Sequence, residues 1–189
     1  MRRGLLIVIS GPSGVGKDTL IHRLLEFDPQ LVYSVSGTTR RPRPGEKPDH
    51  NYTFLTREQF QELVRHGAFL EHATYNSHLY GTFRDRVEKA REEGRDVLLK
   101  IDVQGAEQVR RLVPDALFIF VVAPSEKELE DRQEKRGSES REDMASRREI
   151  AKREMKYAGE YEHVVTNDDI ERAVAEIRRI IEGARQRVT

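Results

Sequence analysis

Short apolar runs alternate with longer amphipathic stretches along this chain. Residues 5–10, LLIVIS, form an apolar, β-branched run that predicts a strand buried on both faces. Residues 31–35, 97–101, 117–122 and 163–166 predict four more strands. Between them the apolar residues fall at helical spacing. Leu20, Ile21, Leu24 and Leu25 predict a helix over 16–27. A second helix over 82–93 ends at Gly94, a good residue to follow a helix C-terminus. A third, 104–113, stops before Pro114. Ser125 opens a capping box with Glu128, ahead of a helix to about 136. Ile170, Val174, Ile177 and Ile181 give the last helix one apolar face. Such alternation predicts an α/β fold, a five-stranded parallel sheet wrapped by helices with right-handed crossovers.

Two segments depart from the rhythm. Residues 37–81 hold a Pro/Arg/Gly loop, a short strand near 52–55, a helix at 57–66 and further strand-like pieces, which predicts an insertion with its own small sheet. Residues 125–157 are almost entirely charged helix pattern, interrupted at Gly137-Ser138. So little apolar surface predicts a helical hairpin that projects from the core.

Composition narrows the class. At 189 residues the chain suits one well-packed domain. The formal net charge is zero, so no global field draws it to nucleic acid or a membrane. The absence of cysteine excludes disulfides, thiolate metal sites and thiol nucleophiles. No apolar run approaches the roughly 18 residues of a membrane span, and a cytoplasmic location is expected.

The strongest local signal is ISGPSGVGKDTL, residues 9–20. An apolar strand, a glycine-rich turn and a helix carry G-x-x-x-x-G-K through Gly11, Gly16 and Lys17. Backbone N–H groups at a helix N-terminus cradle phosphate, and Lys17 can reach the outer phosphates of a nucleoside triphosphate. Asp18 stands where a magnesium-binding hydroxyl is expected. Its carboxylate still offers oxygen to Mg²⁺, directly or through water, at the cost of negative charge beside phosphates. Thr19 supplies a hydroxyl one place later. A second signal is SVSGTTRRPRPGEKPDHNYTF, residues 34–54, where Arg40, Arg41 and Arg43 accompany several hydroxyls and Tyr52. Guanidinium forks match phosphate oxygens. A second phosphate site, a nucleic-acid patch and a solvated basic loop all fit the arginines alone, and the phosphate loop elsewhere favours the first.

With GPSGVGK, SVSGTTRRPRPGE, YTF, FLEHATYNSHLYGT, IDVQGA, RGSES and TNDD in this order over nearly the whole length, the chain resembles the guanylate kinases. That resemblance implies a P-loop NTPase fold in three regions: a core of residues 1–36, 82–124 and 158–189, a monophosphate-binding insertion over 37–81 and a helical lid over 125–157. It implies transfer of the γ-phosphoryl group of ATP to GMP, giving ADP and GDP, with Mg²⁺ bound alongside ATP. Residues Gly11, Pro12, Ser13, Gly14, Val15, Gly16, Lys17, Asp18 and Thr19 would bind ATP, and Asn167 would lie near its adenine. Arg40, Arg43, Tyr52 and Tyr80 would hold the GMP phosphate. Ser36, Glu71, Thr82 and Asp102 would read guanine, with Glu71 accepting from N1–H and the 2-amino group, neither of which adenine presents as a donor there. Arg132, Arg136 and Arg147 would join Lys17 and Arg40 on the transferring group, while Arg141, Arg148 and Arg153 form surface ion pairs. The phosphate of GMP is already an anionic nucleophile, so alignment and charge stabilisation suffice and no general base is needed. Lys100, two residues before Asp102, stands where relatives often carry an acid. Its cation could balance Asp18.

Two alternatives stand beside this reading: from another class, a non-catalytic guanylate-kinase-like binding module, and, closer to it, a P-loop kinase for another monophosphate. The expected partners are ATP and GMP or dGMP, with neither nucleic acid nor membrane, in a monomer or small homo-oligomer.

Overall fold

The structure is a computed structural model that describes residues 2–135 and 141–187, with backbone alone at 135 and 141–147. Five parallel strands form its central sheet: β1 (Leu6–Ser10), β2 (Leu31–Tyr33), β7 (Asp96–Lys100), β8 (Leu117–Val122) and β9 (His163–Thr166), in the order β2-β7-β1-β8-β9. Alternation along β1 explains the two cores. Ile7 and Ile9 pack with Leu20 and Leu24 of α1 (Lys17–Phe27) and Ile177 and Ile181 of α7 (Ile170–Arg187). Leu6 and Val8 face the other way, onto Val87 of α3 (Arg84–Glu92) and Val109 of α4 (Val103–Leu112). Every one of these side chains is buried. Both faces are covered, so the strands read as continuous apolar runs.

A second sheet of four strands, β4-β3-β6-β5, is built from β3 (Gly37–Thr38), β4 (Thr53–Phe54), β5 (Phe69–Tyr75) and β6 (His78–Phe83). Its pairings are mixed: β3 runs parallel to β4 and antiparallel to β6. α2 (Arg57–Arg65), opened by a capping box between Thr56 and Gln59, sets Phe60 against Phe69 and Phe83 beneath it. The helix expected from residue 82 starts instead at Arg84. Thr82 and Phe83 finish β6, paired across to Glu71 and Phe69, and both are buried. Strand pairing here overrides the local helical pattern. α5 (Glu126–Lys135) and α6 (Arg141–Met155) follow β8, with the Glu128 amide donating to Ser125 Oγ at 3.1 Å. No helix among the described residues is long and apolar enough to cross a membrane.

Because β1 is flanked by β7 and β8, the chain leaves it in one direction for β2 and later crosses to its other side for β8. Ligands of open α/β sheets bind at the carboxyl ends of strands beside such a switch point. Here a cleft of about 520 Å³ opens there, between the two sheets.

Candidate active site

The loop from Gly11 to Gly16 turns the end of β1 into α1. Gly11, Gly14 and Gly16 have φ of 141°, 97° and 94°, in the region that disfavours side chains. A Cβ on Gly11 would also meet the Val121 carbonyl at 2.2 Å, so only glycine passes β8 at that point. Lys17 folds back along the loop and donates to the carbonyls of Gly11 and Pro12, the latter at 2.9 Å. Gly11, Ser13, Gly14, Gly16, Lys17 and Asp18 line the cleft. Pro12 and Val15 are buried in the loop, and Thr19 is exposed. Asn167 is 3% exposed, and its amide donates to the Val15 carbonyl at 2.7 Å. It touches the loop from behind, with its side chain committed there rather than to the cleft.

Across the cleft lie the residues of the insertion. Arg40 makes a two-pronged ion pair with Glu46, at 2.8 and 3.0 Å, and Glu46 also accepts from the Arg43 amide at 2.7 Å. The Arg40 guanidinium lies 5.3 Å from the Tyr52 ring, which meets the Tyr80 ring edge-on at 5.9 Å. Arg40, Arg43, Tyr52 and Tyr80 all line the cleft. Glu46 is the organiser of this cluster that sequence reading left unassigned.

Deeper in, Glu71 is 4% exposed and accepts from Thr82 Oγ1 at 2.6 Å. Burial pushes its carboxyl up to about 7, with Thr82 opposing and Asp102 reinforcing the rise. Glu71 and Ser36 line the cleft, whereas Thr82 stands behind Glu71 and is fully buried. Asp102 also lines it, but its carboxylate is engaged as the N-cap of α4, accepting from the Gly105 amide at 2.9 Å and from Gln104 at 3.1 Å. Burial raises its pKa, against those hydrogen bonds. Gly105 leaves the space that Glu71 fills: a Cβ there would lie 2.3 Å from Glu71 Oε2.

The two unusual residues of the sequence meet. Lys100, at the end of β7, donates to the Asp18 carboxylate at the start of α1. Burial works against its charge, yet Tyr33, Tyr52 and Asp18 together hold its pKa above the ordinary lysine value.

On α5 and α6, Arg132 and Arg148 are held in ion pairs. Arg132 is paired with Glu128 one turn away on α5 and does not line the cleft. Arg148 bridges to Glu134, the ion-pairing role expected for it. Arg136 and the side chain of Arg147 lie outside the described residues. Two residues that sequence reading missed do reach the phosphate loop. Gln133 donates to the Ser13 carbonyl at 2.6 Å. Glu154 is 5% exposed, faces the Ser13 amide and has its Oε2 unpartnered. Burial pushes Glu154 up to about 7, with Lys17 opposing and Asp102 reinforcing.

A phosphate loop at the end of the first strand, facing an arginine–tyrosine cluster across one cleft, defines a P-loop phosphotransferase with a phosphorylated acceptor. A family model described as guanylate kinase matches residues 3–184. A guanylate kinase of Rubrobacter xylanophilus is 51% identical over 187 residues, covering 97% of this chain and 98% of the relative. One from Caldanaerobacter subterraneus subsp. tengcongensis is 47% identical, covering 99% and 91%. The crystal structure of guanylate kinase from Anaplasma phagocytophilum superposes with a TM-score of 0.82 at 33% identity, covering 96% of this chain and 86% of that one. This chain belongs to the guanylate kinase family.

Proposed function

We propose that the protein transfers the γ-phosphoryl group of ATP to GMP, with the donor on the Gly11–Gly16 loop and the acceptor against the small sheet. The observation that carries this reading is the convergence of the loop, the Arg40–Arg43 cluster and Glu71 on one cleft. Family membership supports the same substrates.

Lys17 leaves its loop carbonyls for the outer phosphates. Arg40 and Arg43, with the hydroxyls of Tyr52 and Tyr80, hold the GMP phosphate. Ionised Glu71 accepts from N1–H and the 2-amino group of guanine, with Ser36 beside it. A base lacking those donors leaves a buried carboxylate unpaired, a penalty worth several orders of magnitude in discrimination. Thr82 acts through Glu71, and Asp102 chiefly through α4. Mg²⁺ arrives with ATP: among the described residues no three His, Asp or Glu converge on a metal position, while Asp18 offers one carboxylate to a phosphate-bound ion, directly or through water. When bound, the ion neutralises phosphate charge.

Residues 125–157 act as a lid whose closure excludes water and brings Arg132, Arg136 and Arg147 onto the transferring group. Closure separates Arg132 from Glu128, a half-exposed i,i+4 helix pair worth about 0.5 kcal/mol, so that contact is a weak restraint. The core is residues 1–36, 82–124 and 158–189, and residues 37–81 carry GMP.

The test is ADP release coupled to NADH oxidation, with Mg-ATP and GMP, dGMP, AMP or dTMP offered in turn. ADP production that depends on a guanine monophosphate is the expected result. Equal turnover of AMP, or no ADP with any acceptor, overturns the proposal.

A further inference from the structure

Lys100 occupies a position that neither phosphate site explains by itself. It is the last residue of β7, and its register beside Ile9 of β1 brings it level with the entrance to the phosphate loop. Three elements hold its ammonium. Asp18, in the first turn of α1, accepts a hydrogen bond from Nζ. The hydroxyl of Tyr33 on β2, another cleft-lining residue, is a second partner. The ring of Tyr52, part of the acceptor cluster, has its centroid 5.3 Å from Nζ, within cation–π range. The side chain is only 17% exposed, and it lines the same cleft as Lys17 and Arg40.

Withdrawing an ammonium from water is costly unless its partners compensate. Asp18, Tyr33 and Tyr52 do so and keep Lys100 charged. The location gives that fixed charge a use. A fixed cation between the donor loop and the acceptor-phosphate cluster stands where negative charge from two substrates accumulates.

We infer that Lys100 is a catalytic residue of this chain, its ammonium contacting the transferring phosphoryl group at the seam between the two phosphate sites while Asp18 and Tyr52 hold it there. This rests on the phosphotransfer reading above. In that step an oxygen of the GMP phosphate bonds to the γ-phosphorus of ATP. The bond from that phosphorus to the β–γ bridging oxygen breaks, and its electron pair departs on ADP. No proton has to move, so the requirement is for positive charge around the equatorial oxygens. Lys100 provides one such charge, and in the resting enzyme the same charge offsets Asp18 beside the loop.

Charge compensation alone is the competing role, and the two separate experimentally. A lysine that only cancelled Asp18 becomes dispensable once Asp18 is neutral. Wild type, Lys100→Met, Lys100→Arg, Asp18→Ser and the double variant Asp18→Ser/Lys100→Met are compared for kcat at saturating GMP and Mg-ATP. GMP affinity by calorimetry and melting temperature are measured alongside. The expected result is a kcat for Lys100→Met about 10²-fold below wild type, GMP affinity within about three-fold, recovery of about ten-fold or more in Lys100→Arg, and a double variant as slow as Lys100→Met. Return of the double variant to the rate of Asp18→Ser overturns the inference, as does a Lys100→Met kcat within about three-fold of wild type. If Lys100→Met melts below the assay temperature, Lys100→Gln takes its place under the same thresholds. A wild-type protein that makes no ADP with GMP overturns the underlying function instead. An active wild type with an indifferent Lys100 overturns only this inference.

Discussion

Replacing Gly105 by alanine sets helix propensity against space. Gly105 lies in the first turn of α4 and is not among the residues with positive φ, so its backbone makes no demand for glycine. On propensity alone the change should stabilise the helix by about 1 kcal/mol. The added Cβ, however, would stand 2.3 Å from Glu71 Oε2 and 3.0 Å from Glu71 Cδ. Carbon in ordinary contact sits about 3.5 Å away, so the carboxylate must retreat by roughly 1 Å. The end of a glutamate usually swings aside at little cost. This one is 4% exposed, and its other oxygen is held by Thr82 at 2.6 Å. Retreat breaks that hydrogen bond, at about 1–3 kcal/mol for the groups left buried, or pushes α4 and Asp102 outward. The propensity gain is cancelled in either case. A displacement of about 1 Å at a substrate-positioning group is worth on the order of 10² in rate. Gly105→Ala should therefore lower kcat/KM for GMP about 10²-fold, leave KM for ATP near its wild-type value and move the melting temperature by only a few degrees. Steady-state kinetics with each substrate varied, together with a thermal melt, measure all three. Unchanged GMP kinetics in a folded Gly105→Ala protein would refute the reasoning, because the space beside Glu71 would then be idle.

Other expectations can be checked with the same assay. Lys17→Ala should lose at least about 10²-fold in kcat while moving the melting temperature by only a few degrees, since the hydrogen bonds it gives up at Gly11 and Pro12 are to carbonyls of the phosphate loop. Glu71 must be ionised to accept from guanine, and its carboxyl sits at about 7. KM for GMP should therefore rise as pH falls below 7, by up to about ten-fold per pH unit, and Glu71→Gln should remove that part of the profile while keeping the part owed to the GMP phosphate. Stability runs the other way. The folded state holds this proton more tightly than the unfolded chain, so Glu71 lowers stability as pH rises from 4.5 to about 7, by on the order of 3 kcal/mol at most. Chemical denaturation at pH 5 and pH 8 should show a smaller difference for Glu71→Gln than for wild type.

The five core strands, the phosphate loop and the arginine cluster were all legible in the residue pattern, because local apolar runs and short-range spacing carry them. What was not legible depends on approach between distant segments. Thr82 reads locally as the start of a helix, and only pairing across to Glu71 makes it strand. Glu154 shares its pattern with exposed neighbours on a charged helix, and only the docking of α6 against the loop buries it. Gln133 reaches the loop in the same way. The pairing of Lys100 with Asp18, 82 positions apart, was by contrast anticipated from the two unusual residues, and the adjacency of β1 and β7 brings it about.

Gln133 and Asn167 grip the phosphate loop by its carbonyls, at Ser13 and Val15. The curvature that a triphosphate needs is thereby imposed by segments far along the chain, and the entropy of ordering it is settled when the protein folds rather than when nucleotide arrives. ATP affinity should consequently track the integrity of the carboxyl-terminal third of the polypeptide. A lesion at Asn167, with no atom near the chemistry, should register first as weakened donor binding and only later as loss of the fold.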